Sequence, residues 1–289
     1  LAFLCLHPTI IAHGRLVTTD MAVTVFMTMA VLELALYLRG AARIHLFTTA
    51  LAVGAALCTK YTALVLAPLC VLALVGTAIL SRGRYARGTR SVALLRATLA
   101  SLTIGLVSLT MIHASYRFER SDWTVAQMLS APEPDNPVTV PYRDKLLEKL
   151  TPLAKVPTDL WVPLPYGYAF GLASIKAHAK HGHPSSFFGK FRVSGTPWYF
   201  PTLLAIKTPL CMLVALGIGL AIAVRRRRIS LATVLCLGVA TAMLLASLRA
   251  SINIGVRHVL PVLPLLCVLA GRAAWLFLSS LEPRRARQW

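Results

Sequence analysis

The sequence predicts an all-α polytopic membrane protein, and three observations carry the prediction. Of the 289 residues 57% are hydrophobic and 14% are charged, against about a quarter charged in an ordinary soluble domain. The apolar residues gather in runs close to the ~20 residues that a helix needs to cross a hydrocarbon core. Short arginine clusters separate those runs at every second junction. In lipid only helices and closed barrels satisfy their backbone groups, and these runs are too long for the alternating strands of a barrel. The formal net charge of +20 therefore reads as a positive-inside bias and not as a nucleic-acid-binding surface.

Taken in order, residues 1–12 read as the end of a spanning helix that began earlier, so the chain reads as a fragment lacking an N-terminal portion. Residues 20–38 form the first complete apolar run. Residues 44–58 form a shorter one, broken by Thr59, Lys60 and Tyr61. Residues 62–80 and 91–114 follow, then a long polar stretch at 115–198. Residues 199–224 are apolar with Lys207 inside, and 229–248 and 259–278 complete the set. The expectation is about seven spans, counting the truncated first. Three regions follow: membrane helices at 1–114, an extracytoplasmic loop at 115–198, and three more membrane helices with a basic tail at 199–289. Mean hydropathy is +0.69.

The basic clusters lie at Arg39 and Arg43, at 82–90, at 225–228 and at 284–287. Placing all four in the cytoplasm is self-consistent with the alternation of spans. The remaining junctions then face outward. In the long loop, residues 143–153 carry leucines at helical spacing with charges opposite, which predicts an amphipathic helix on the membrane surface or packed on the loop itself. Pro132, Pro134, Pro137 and Pro141 make the preceding segment extended. The six cysteines all lie in apolar runs without ligand or disulfide spacing.

Chemistry is sought at the outward junctions. They collect His13, Arg15 and Asp20; then Lys60 and Tyr61; then Arg249, Asn253, Arg257 and His258, with Lys207 near the outer end of its span. Ionisable groups at membrane depth are costly and are usually paired or functional. Cations on the outer face also oppose the positive-inside bias. Arg15, Lys60, Lys207, Arg257 and His258 thus form a candidate anion site, with the arginine fork suited to phosphate. The bland alternative is snorkelling to lipid headgroups. Asp20 opens a helix after Thr18 and Thr19. It reads as an N-terminal cap or a partner of Arg15 ahead of a catalytic carboxylate. Glu33 lies mid-span, ~20 Å along the helix from Asp20, and reads as neutral or paired inside the bundle. His178, His181 and His183 match no strong ligand template, so a solvated basic loop is preferred; no cofactor is assigned and a divalent metal stays open.

The residues also resemble a family. HPTIIAHGRLVTTDMAVTVF (7–26) resembles the segment of glycosyltransferase family 39 in which an arginine precedes an aspartate at a helix start. CTKYTALVLAPL (58–69) resembles its following Lys-Tyr turn. LPYGYAFGL (164–172), SSFFGK (185–190) and GTPWYFPTLLAIKTPL (195–210) are similar to the loop-to-helix signature of bacterial members. SINIGVRHVLPVLPLL (251–266) is similar to their Arg-His-x-Leu-Pro motif. The family includes protein O-mannosyltransferases and belongs to the GT-C superfamily of multi-helix membrane enzymes.

The resemblance implies transfer of a mannose-like hexose, with inversion, from a polyprenyl-phosphate donor to a protein or lipid acceptor at the outer face of a bacterial cytoplasmic membrane. It carries over Arg15 and Asp20 as the second acidic motif and Lys60 and Arg257 as donor-phosphate contacts; Tyr61, Lys207 and His258 follow less directly. The family's main catalytic acid lies in a first outer loop that this chain lacks, so the fragment alone is expected to be inactive. Cations preorganised at the leaving phosphate would stabilise the charge that builds there, and a carboxylate would deprotonate the acceptor. Trp161, Tyr166, Tyr168, Phe170, Trp198 and Tyr199 would cover the site and bind sugar or acceptor; the alternative for Trp198 and Tyr199 is an interfacial aromatic belt. The alternative class is a transporter or flippase, which favours internal repeats and midplane polar groups. A non-catalytic scaffold leaves the outward cations unexplained.

Overall fold

A computed structural model describes residues 1–16, 18–86, 88–119, 163–193, 195–226 and 229–281. In chain order the helices are α1 (Ala2–Cys5), α2 (Pro8–Gly14), α3 (Thr19–Leu38), α4 (Ile44–Thr59), α5 (Leu66–Ile79), α6 (Arg90–Ser115), α7 (Tyr166–His181), α8 (Tyr199–Lys207), α9 (Leu210–Arg226), α10 (Leu231–Leu248) and α11 (Val262–Leu281). Single 3-10 turns stand at Tyr61–Val65, Gly83–Tyr85 and Val256–Val259. Strands β1 (Ser185–Phe187) and β2 (Lys190–Arg192) pair antiparallel, with Phe187 opposite Lys190. The expected amphipathic helix at 143–153, and Trp161, lie outside the described residues.

Five helical segments are long and apolar enough to cross a membrane: Thr19–Leu38, Tyr61–Tyr85, Arg90–Ser115, Leu231–Leu248 and Val262–Ser279. The bent pair α8 and α9 makes a sixth if it is one span. Helix α4 is apolar but only 16 residues long. The protein is a multi-pass, helical integral membrane protein.

Two runs that read as continuous are broken, and proline is the reason both times. Residues 199–224 bend by 107° between α8 and α9. Thr208 leaves the helical region (ψ 130°) because Pro209 follows it. At the start of the chain, His7 is extended and Pro8 begins a new helix. The His7 imidazole accepts the Thr9 N–H at 3.2 Å, so it caps α2 as a serine would.

The chain divides into two compact units. The first comprises residues 1–108, 197–249 and 254–289. Within it α3 and α4 pack as an antiparallel hairpin, α10 lies on α3, and α11 packs on α9 and α10. Small residues fill the contacts: Ala50, Ala52, Val53 and Ala56 are buried on α4, and Ala93, Ala97 and Ala100 on α6. The large residues of α6 point outward instead. Leu95, Leu99, Leu102 and Leu106 follow helical spacing and are all more than half exposed. Small residues inside and leucine outside is how helices pack when lipid is the solvent.

The C-terminal end of α3 is closed by the turn that follows α5. The Arg84 guanidinium donates to the carbonyl of Tyr37 at 2.8 Å and to that of Ala41, and it lies 4.4 Å from the centre of the Tyr37 ring. Gly83 makes this approach possible. Its φ is +56°, and a Cβ there would stand 2.1 Å from the Leu38 carbonyl oxygen.

The second unit comprises residues 109–196 and 250–253. Its hairpin turns on Phe188 and Gly189, both with positive φ, as a two-residue turn between right-twisted strands requires. Phe188 and Phe191 are exposed. The buried Asn253 donates from Nδ2 to the Thr196 carbonyl at 3.2 Å, which ties the two pieces of the unit together.

Candidate functional site

The site is built where three backbone irregularities meet at one end of the first unit. Helix α3 begins after Thr18, whose backbone is extended, and Asp20 is its second residue. A carboxylate in the first turn is favoured by the helix dipole. Asp20 is nevertheless 4% exposed, and a buried carboxylate needs a partner. That partner is Lys60, whose Nζ forms a hydrogen-bonded ion pair with Asp20 Oδ1. Lys60 stands where α4 ends, with extended backbone (φ −160°, ψ 138°), so its side chain leaves the helix axis and crosses to α3. Thr24 donates to the Asp20 carbonyl at 2.6 Å. Tyr61 follows, half-buried, at the start of the 3-10 turn.

The third irregularity is the turn Val256–Val259. It follows Gly255, whose φ of +111° belongs to a region that side chains avoid. The turn carries Arg257, exposed, and His258, half-buried. The His258 ring lies 6.2 Å from the Phe200 ring, centre to centre. Burial first, then the charges of Lys60 and Arg257, push the imidazole pKa down to about 4, with Asp20 opposing them. Those interactions place Asp20, Lys60, Arg257 and His258 in one electrostatic neighbourhood. His258 is held as a neutral imidazole at pH 7.

The sequence-predicted residues sort accordingly. Asp20, Lys60, Arg257 and His258 come together. Arg15 does not join Asp20: it is exposed and has no hydrogen bond or ion pair among the described residues. The expected Arg15–Asp20 pairing is replaced by Lys60, forty positions along the chain, because the α3–α4 hairpin returns the chain to its starting level. Lys207 ends α8 and is exposed; its carbonyl accepts from Thr9 at 3.4 Å. Glu33 is paired inside the bundle, accepting from His45 at 2.8 Å and from Thr48. Phe200, beside His258, was not singled out in the sequence, where nothing distinguishes it from the other aromatics of its run. His183 Nδ1 lies 2.9 Å from the Pro184 carbonyl. Among the described residues no three His, Cys, Asp or Glu side chains stand close enough to hold a metal.

Away from these groups, an apolar cavity opens between α3, α5 and α10, lined by Val31, Leu34, Leu66, Cys70, Val234 and Val239 among others. No protein-family model, no curated protein and no solved structure matches this chain. The functional reading therefore rests on the residues themselves.

Proposed function

We propose that this protein is a membrane glycosyltransferase of the GT-C type. It moves a mannose-like hexose from a polyprenyl-phosphate donor to a protein or lipid acceptor, with inversion, at the outer face of a bacterial cytoplasmic membrane. The observation that carries the reading is the buried Asp20–Lys60 ion pair beside Arg257 and His258, at one end of an apolar helix bundle.

In this reading Lys60 and Arg257 receive the donor phosphate. As the bond from the anomeric carbon to the phosphate oxygen breaks, charge builds on the leaving phosphate, and fixed cations stabilise it. Neutral His258 contributes a hydrogen bond without adding charge. Asp20 holds Lys60 in place; being committed to that cation, it is a positioning residue, and the acceptor proton goes to another carboxylate. The cavity between α3, α5 and α10 is entirely apolar in its named lining and suits a polyprenyl tail.

A second reading, a lipid or solute transporter, is favoured by one observation, the 107° bend between α8 and α9. Broken helices are a transporter device. The test supplies radiolabelled polyprenyl-phosphate sugar to the full-length protein in membranes. Transfer of label to protein or lipid that collapses in Lys60→Ala and Arg257→Ala, with expression unchanged, supports the enzyme. Movement of the intact labelled donor across the bilayer, with no bond cleaved, supports the transporter.

A further inference from the structure

Away from that site a cation of the same unit stands inside a span. Arg272 belongs to α11, within the membrane-crossing segment Val262–Ser279, ~14 Å along the helix from Leu281. It is exposed and has no hydrogen bond or ion pair among the described residues. An unpaired arginine at that depth costs several kcal/mol unless an anion or water meets it. The side chain lines a crevice between α9, α10 and α11. Gly219 and Ala273 bring α9 and α11 into close contact there, since a Cβ on Gly219 would lie 2.4 Å from that of Ala273.

The crevice has two kinds of wall. Leu216, Leu220, Leu237, Leu269 and Leu276 make it apolar along its length. Ser230 and Thr233 bring two hydroxyls to it at the start of α10. They bond to each other at 2.9 Å, and Ser230 Oγ also accepts the Thr233 N–H at 3.3 Å, which leaves one hydroxyl proton of the pair free to donate to an anion. The crevice thus sets the Ser230 and Thr233 hydroxyls and Arg272 in an otherwise apolar lining. The chain on either side is basic, with arginine at 225–228 and at 284, 285 and 287.

We infer that this crevice binds an anionic glycerophospholipid of the adjoining leaflet. The phosphate is held by Arg272 with the free hydroxyl of the Ser230–Thr233 pair, and one acyl chain lies along the leucines. Charge complementarity selects the occupant: a cation with no carboxylate opposite it among the described residues, beside a hydroxyl donor, asks for an anion, and the apolar wall asks for one that carries a hydrocarbon chain. Basic pockets between spans recognise anionic headgroups in this manner. The inference is independent of the proposed sugar transfer, which uses residues at the other end of the helices.

The test is native mass spectrometry of the full-length protein released from nanodiscs of phosphatidylglycerol or of phosphatidylcholine. Wild type is expected to retain phosphatidylglycerol in preference to phosphatidylcholine. Arg272→Gln should lose about fivefold of that retention, whereas Arg43→Gln, an exposed arginine outside the crevice, should lose none. Leu269→Trp fills the crevice while keeping the charge and should also lose the adduct, which separates a built site from general basicity. Equal retention of the two lipids by wild type overturns the inference. So does retention of phosphatidylglycerol that is unchanged in both Arg272→Gln and Leu269→Trp.

Discussion

The two ends of α3 solve the same problem in opposite ways. Each end leaves backbone groups without helical partners, and each brings a charged side chain to a place where water is scarce. At the C-terminal end, Arg84 donates to two carbonyls and rests on Tyr37. Its donors are spent on the fold. At the N-terminal end, Asp20 pairs with Lys60, while Arg257 on the neighbouring turn is exposed and His258 is kept neutral by burial and by the two cations. Basic residues at a membrane protein's helix ends are therefore not one class. An arginine that caps carbonyls is structure; a lysine held by a buried carboxylate beside a second cation has charge to offer a ligand.

Substitutions can break that contrast at either end. The largest effect is expected from Gly83→Ala, which places a methyl group 2.1 Å from the Leu38 oxygen at a positive φ. A loss of ~3 kcal/mol or more, read as a fall in unfolding temperature in detergent, would mark the Arg84 end as structural. Next come Asp20→Asn and Lys60→Met. Lys60→Met strands the buried Asp20 and Asp20→Asn the half-buried Lys60, and each should cost ~3 kcal/mol. The double variant should cost less than the sum, with a coupling of ~1–3 kcal/mol, measured by a double-mutant cycle on thermal unfolding. Arg84→Ala follows at ~2 kcal/mol, with transfer activity per folded molecule unchanged.

The smallest effect sharpens the comparison through pH. The His258 pKa is pushed down to about 4 in the fold, against ~6.5 when unfolded. Between those values the unfolded chain binds more protons, so stability rises with pH there. His258 carries no penalty above pH ~6.5, and its contribution is lost as pH falls toward 4, by up to ~2 kcal/mol after solvent screening. His258→Gln should flatten the fall in unfolding temperature between pH 7 and pH 4. An unchanged slope would mean that the imidazole is not held neutral by its surroundings.

Much of this was legible in the sequence because lipid imposes a coarse rule. Runs near 20 residues of apolar side chains became helices at 20–38, 91–114 and 229–248. The breaks at His7-Pro8 and Thr208-Pro209 lay under apolar runs that hydropathy cannot divide; the prolines were the available signal. Asp20's partner was sought nearby at Arg15, yet it is determined by helix length. A return of sixteen residues in α4 from the level of Leu38 brings Lys60 to about the level of Asp20. The Arg84 clamp was hidden in a cluster that read as a topology signal. No local pattern announces that one arginine of several reaches back to α3, because the contact depends on the positive φ of Gly83 and on where α5 ends.

The most direct test of the central claim is binding of a sugar-free polyprenyl phosphate to the full-length protein in nanodiscs, with wild type, Lys60→Met and Arg84→Ala compared at equal folded concentration. Lys60→Met should weaken binding about tenfold or more, while Arg84→Ala should bind as wild type does. Equal binding by wild type and Lys60→Met would contradict that claim, and would return Lys60 to the role that Arg84 plays, a cation spent on the fold.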